Sequence, residues 1–263
     1  MPQQPDAAFA HPDCYARELG GCSRQISKEH YVSDAILRQV SLGEPSVLVR
    51  NLHFQEPSTQ ERKGISSLVA KVLCSKHNSH LSPFDVAGFS LVSGMDEINR
   101  TVGQVEDEET FVVNGDDLER WMLKTLCGGL FSGNIPLPDG TLKGICPPKH
   151  WLDILFCNGR FPAEQGLYVR AGTPGVVFAT DPSILKMEVL HEQNFVVGFR
   201  VLVFNFQFIL VLASLPPQPP AMLEHAQYRP QGIVVQGSNT RIQIAWQDGT
   251  AGDELVVKWV GRE

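Results

Sequence analysis

No stretch of this chain is long and apolar enough to read as a membrane-spanning helix. Residues 195 to 215 come nearest, but Arg200, Asn205 and Gln207 interrupt them, and Phe204, Phe206 and Phe208 alternate with other residues at strand period. No membrane partner is expected. Met1 to Pro12 lack a basic stretch followed by an apolar run, so no secretory leader is read and a cytoplasmic location is the expectation. Positive charge is scarce as well: 22 Lys+Arg stand against 29 Asp+Glu, a net charge of −7. Phosphate neutralisation supplies most non-specific nucleic-acid affinity, so that balance excludes a tight, sequence-blind DNA binder. Internal repeats are absent, and neither Gly115 nor Gly172 to Gly175 matches a phosphate-loop template.

What is present is concentrated near the N-terminus. Residues 1 to 84 hold 9 Lys+Arg against 8 Asp+Glu, and 85 to 263 hold 13 against 21, so the acid excess lies in the second part. Five of the eight histidines (His11, His30, His53, His77 and His80) fall in the first 84 residues. In a reducing compartment, clustered cysteines favour metal over disulfide. Cys14, Cys22, Cys74 and His77 together supply the three sulfurs and one nitrogen of a closed tetrahedral zinc site. Cys74-x-x-His77 has a good spacing. Seven residues separate Cys14 from Cys22, and Gly20 and Gly21 allow that longer loop to fold tightly. The alternative from the same residues is a buried Cys74 and a Cys14 left in a loose tail. Glu29, His30 and Asn78 stand beside the presumed ligands and are free for chemistry.

The 263 residues, 43% of them hydrophobic, suffice for one large domain or two ordinary ones. The pattern predicts an α+β protein. A loose tail over 1–13 precedes a zinc module with a helical extension over 14–105, and an α+β domain over 110–263 has a mostly antiparallel β half. Strands are expected at Ile26 to Val32, Ser46 to Phe54 and Thr110 to Val113, with a short helix from Ser33 to Val40 and a polar loop from Pro57 to Gly64. Leu68, Val69, Val72 and Leu73 form a helical stripe that would carry Cys74, His77 and Asn78 on one helix, ended or bent by Pro83. Leu118, Trp121, Met122, Thr125 and Leu126 form a second stripe, stopped at Gly128-Gly129. Pro136 to Pro148 reads as a connection. Beyond Trp151 strands are expected at 166–171, 176–180, 185–190, 195–212, 232–235, 240–246 and 254–259, with a stiff proline spacer over 216–220.

The order Cys, Cys, Glu-His, then a helix bearing Cys-x-x-His-Asn, resembles the His-Asn-His (HNH) endonucleases, whose strand-strand-helix metal site is often buttressed by zinc on a treble-clef scaffold. The likeness covers about residues 14–85. It implies that His30 is the general base on water and that Glu29 and Asn78 hold a catalytic Mg²⁺ or Mn²⁺. Structural Zn²⁺ would sit on Cys14, Cys22, Cys74 and His77, and DNA or RNA would be a transient partner. The family's middle asparagine has no clear counterpart, because Gly64-Ile65-Ser66-Ser67 occupies its place; Ser66 and, more remotely, Asn51 are the candidates. Ser79-His80 replaces the basic residue that often follows the last asparagine, so phosphate contacts fall to Arg24, Lys28, Lys71 and Lys76.

Other conspicuous residues read as structural. Trp121 and Lys124 are assigned to core and rim, and Cys127, Cys146 and Cys157 to buried thiols. Two functions are carried forward. One is a metal-dependent phosphodiester hydrolase; the other is a catalytically inactive zinc-scaffolded interaction module whose acidic C-terminal half binds a protein.

Overall fold

The computed structural model describes residues 9–30, 32–50, 60–104, 107–134, 145–171, 185–192, 195–204, 206–216 and 220–258. The expected strand at 176–180, the candidate Asn51 and parts of the tail, the 136–148 connection and the proline spacer lie outside them. The fold is mixed α+β with a Cys/His cluster near the N-terminus, a long helix, and several sheets in the C-terminal half. The chain divides into two compact units: Met1–Asp85 with Leu123–Arg160, and Val86–Met122 with Phe161–Glu263.

In the first unit, β1 (Glu29–His30) pairs antiparallel with β4 (Val69–Ala70), Glu29 opposite Ala70 and His30 opposite Val69. An Ile26–Cys74 bridge extends the ladder, with Ser27 N–H donating to Leu73 O and Ser75 N–H to Gln25 O. Three residues on one strand face two on the other between these pairs, which is a β-bulge. The excursion between the strands holds α1 (Asp34–Val40), which buries Ile36, Leu37 and Val40, and the antiparallel pair β2 (Ser46–Arg50) and β3 (Gln60–Gly64). Gln60–Gly64 was expected as loop, but pairing with β2 satisfies its backbone. Residues 9–13 are also tied down in part: Cys22 N–H donates to Phe9 O and Arg17 to Pro12 O.

The stripe over Leu68 to Leu73 is not helical. Ile65–Ser67 is a single 3-10 turn, and Val72 and Leu73 lie in the bulged strand, where both are buried. Four clustered apolar residues fit a strand buried on both sides as well as a helix face. Helix α2 (Ser75–Thr101) starts only after Cys74 and runs through Pro83. Leu81, Leu91, Val92, Met95 and Ile98 are buried along it, and that burial outweighs the lost hydrogen bond. Helix α3 (Gly115–Ser132) likewise passes through Gly128-Gly129, between the buried Leu126, Cys127 and Leu130, and stops at Gly133, whose φ of 75° suits a left-handed helix end. A further helix, α4 (Lys149–Phe156), was not foreseen; it buries Trp151, Leu152, Ile154 and Leu155.

The second unit contains a five-stranded antiparallel sheet of order β10-β6-β9-β8-β7, made of β6 (Gly166–Ala171), β7 (Leu185–Glu192), β8 (Phe195–Val203), β9 (Phe206–Val211) and β10 (Gln227–Tyr228). The expected single strand over 195–212 is thus a hairpin, turned at Phe204 with φ of 45°. A four-stranded mixed sheet combines β11 (Pro230–Gln236), β12 (Thr240–Ala245), β13 (Gly252–Lys258) and β5 (Glu109–Asn114). In it β11–β13 and β12–β5 are parallel and β11–β12 antiparallel. Alternation along β12 buries Thr240, Ile242 and Ile244 and exposes Arg241, Gln243 and Ala245. Glu119 and Arg229 form a buried bidentate pair, with Nε and Nη2 2.9 and 2.8 Å from the two carboxylate oxygens. The other guanidinium nitrogen reaches Asp248 and Thr250.

Candidate metal centre

Cys14 precedes a 3-10 turn over Arg17–Leu19, and the chain then reverses through Gly20 and Gly21, with φ of 69° and 62°, before Cys22. Only glycine holds such a conformation cheaply. The segment after β4 that bridges to Ile26 supplies Cys74, and the first turn of α2 supplies His77. Lys76 N–H and the Ser75 hydroxyl bond to Ser23 Oγ, which fastens the helix start to the strand leaving Cys22.

All four candidate ligands are buried, and their ligand atoms lie within 4.8 Å of one another. His77 Nδ1 is 3.4 Å from Cys14 Sγ, 3.7 Å from Cys22 Sγ and 3.3 Å from Cys74 Sγ. Bonds of roughly 2.3 Å to sulfur and 2.0–2.1 Å to nitrogen at tetrahedral angles require an N···S edge of about 3.6 Å. The spacing and the donor set therefore fit a structural Zn²⁺. Burial pushes the Cys14 thiol up to about 12 and raises Cys22. Burial also acts upward on Cys74, but N–H groups of His77 and Ser23 with the Ser23 hydroxyl bring it below its usual value. Burial and the nearby Lys76 and His80 charges lower His77, which favours the neutral imidazole that metal requires. Phe156 covers its ring edge-on at 5.2 Å.

The presumed catalytic residues lie in different surroundings. Adjacent strand residues point to opposite faces, so Glu29 and His30 diverge. Glu29 Oε1 lies 2.7 Å from the ammonium of Lys124, a residue 2% exposed that also meets Asp85 Oδ2 at 2.6 Å. His30 Nε2 lies 3.2 Å from Ile65 O and 3.7 Å from Asp34 Oδ1. Asn78 sits in the first turn of α2; its Oδ1 is buried and has no hydrogen-bond partner. Among the described residues, no hydrogen bond or ion pair joins Glu29, His30 and Asn78 to one another. Ser66 is exposed, as are Arg24, Lys28, Lys71 and Lys76.

Lys124, expected at the rim, is buried, and Asp85 was not singled out in the sequence. Lys124 stands inside the apolar stripe of α3, between Trp121, Met122 and Leu126, and a lysine there signals a buried partner. Asp85 carried no comparable mark. Comparison with protein families, with curated proteins and with solved structures finds no match.

Proposed function

We propose that residues 14–85 form a zinc-braced interaction module without hydrolytic activity, in which Zn²⁺ on Cys14, Cys22, Cys74 and His77 is architectural. The observation that carries this reading is the engagement of Glu29 by the buried Lys124 ammonium. A hard divalent cation at Glu29 would have to sit against a fixed positive charge, and displacing that charge would leave Lys124 buried beside Asp85 alone. Zinc measurement on purified protein, run beside plasmid digestion with Mg²⁺ or Mn²⁺ against a chelated control, tests it. One zinc per chain and no cleavage is the expected outcome. Cation-dependent cleavage that disappears in His30→Ala would overturn it.

The hydrolytic reading has one observation in its favour. The His30 side chain is 23% exposed and has a carboxylate, Asp34, 3.7 Å away, an arrangement that could orient a general base. It would further require Lys124 to release Glu29 so that Glu29 and Asn78 could share a cation.

A further inference from the structure

We propose that the exposed face of the β1–β4 pair and the start of α2 beside the Cys/His cluster binds an acidic segment of a partner protein. This deepens the non-hydrolytic reading and rests on it. One step beyond the Glu29–Ala70 pair, the register sets Lys28 opposite Lys71. Past the Ile26–Cys74 bridge, Arg24 follows Ser23, whose hydroxyl holds the first turn of α2, where Lys76 lies. All four are exposed, and among the described residues none has an acidic partner. Lys76 Nζ donates to the neutral Gly21 carbonyl at 2.9 Å, and the Arg24 guanidinium lies over the Phe9 ring at 5.4 Å. Like charges directly opposite on paired strands destabilise a hairpin. The Lys28–Lys71 position, with the nearest acid of the strand turned inward to Lys124, is a standing cost that a bound anion removes.

The size of the face and the charge of the chain select the anion. From Arg24 to Lys28 the strand rises about 13 Å, over which an extended segment presents about three alternate side chains to one side. Four cations are enough for that number of carboxylates. Four phosphate contacts would give a nucleic acid a small electrostatic gain, and the chain's −7, which repels any anion, repels a long polyanion more than a short acidic segment. One face of the Phe9 ring is covered by Arg24.

Fluorescence anisotropy of the full zinc-loaded chain with a labelled peptide of alternating Asp and Glu, a duplex DNA and a neutral Asn/Gln peptide reads the preference. The acidic peptide is expected to bind, the neutral one not, with affinity falling as salt rises from about 0.1 to 1 M and the Debye length shrinks from about 10 to 3 Å. Lys28→Glu and Lys71→Glu should each weaken peptide binding by at least about tenfold. Each should also raise the melting midpoint by about 1–3 °C, because a like pair becomes an opposite one. Undiminished binding in both variants, a fall in midpoint accompanying the lost binding, or tighter binding of the duplex than of the peptide at equal salt would overturn the proposal. Absence of zinc or cation-dependent cleavage would sink the underlying reading. A zinc-replete, non-cleaving protein that ignores the acidic peptide would sink this proposal alone.

Discussion

Lys124 is the residue on which the account of chemistry turns. An ammonium 2% exposed between two carboxylates at 2.6 and 2.7 Å is tolerable only while all three are present. Removing one member of such a buried set costs roughly 3–5 kcal/mol, because charge is left without compensation. Lys124→Met should lower stability by about that amount in urea denaturation, and adding Glu29→Gln with Asp85→Asn should recover part of it; additive losses would contradict the ion-pair assignment. At the ligands, Cys74→Ala is expected to abolish zinc binding and unfold the N-terminal region, whereas His30→Ala leaves both intact. Equal loss of melting midpoint in the two would remove the distinction drawn between them. Asp248 gives a pH prediction. Hydrogen bonds from the Thr250 hydroxyl and amide, with the Arg229 charge, hold its carboxyl down at about 2. A depressed acid contributes stability that is complete above its unfolded value of about 3.9 and is lost as pH falls through the folded one. The stability advantage of the native protein over Asp248→Asn should therefore shrink between about pH 4 and 2, and an advantage independent of pH there would refute the assignment.

At the scale of elements, α2 shows what each kind of residue contributes. Its Gly88 lies where an added Cβ would come within 2.5 Å of the Trp121 ring on α3, so this helix contact depends on the missing side chain. Gly88→Ala should destabilise by about 1–3 kcal/mol through overpacking, despite alanine's better helix propensity; a stabilised variant would show that the tryptophan can move aside. Much of this layer was legible beforehand. The sequence pattern identified β12 and β6, and the stripe of α3 was read correctly up to its end. What misled was local punctuation. Pro83 and Gly128-Gly129 are breakers by propensity, each costing a helix from about 1 to 3 kcal/mol, yet both lie among side chains whose burial exceeds that. Conversely Leu68 to Leu73 carries helical spacing only because a bulge buries two successive residues, Val72 and Leu73, and no periodicity rule encodes a bulge.

Across the whole molecule, the Cys/His cluster was legible because its four ligands are rare residue types grouped in short segments, and their types alone select the metal class. The surroundings of Glu29, His30 and Asn78 were not readable in the same way. Whether a carboxylate is free depends on what comes to it from elsewhere in the chain, and the partner of Glu29 lies 95 positions away in sequence. Zinc on this ligand set would bind the folded form and release protons from the thiols, so chelation or mild acidification should lower the melting midpoint and added Zn²⁺ should restore it. A midpoint indifferent to metal would argue that the cluster packs as thiols. The most direct examination of the central claim is zinc-edge X-ray absorption on the purified full chain. The account predicts one zinc per chain with three sulfurs at about 2.3 Å and one nitrogen at about 2.0–2.1 Å. A zinc-free protein, or a shell of oxygen and nitrogen lacking those sulfurs, would contradict it.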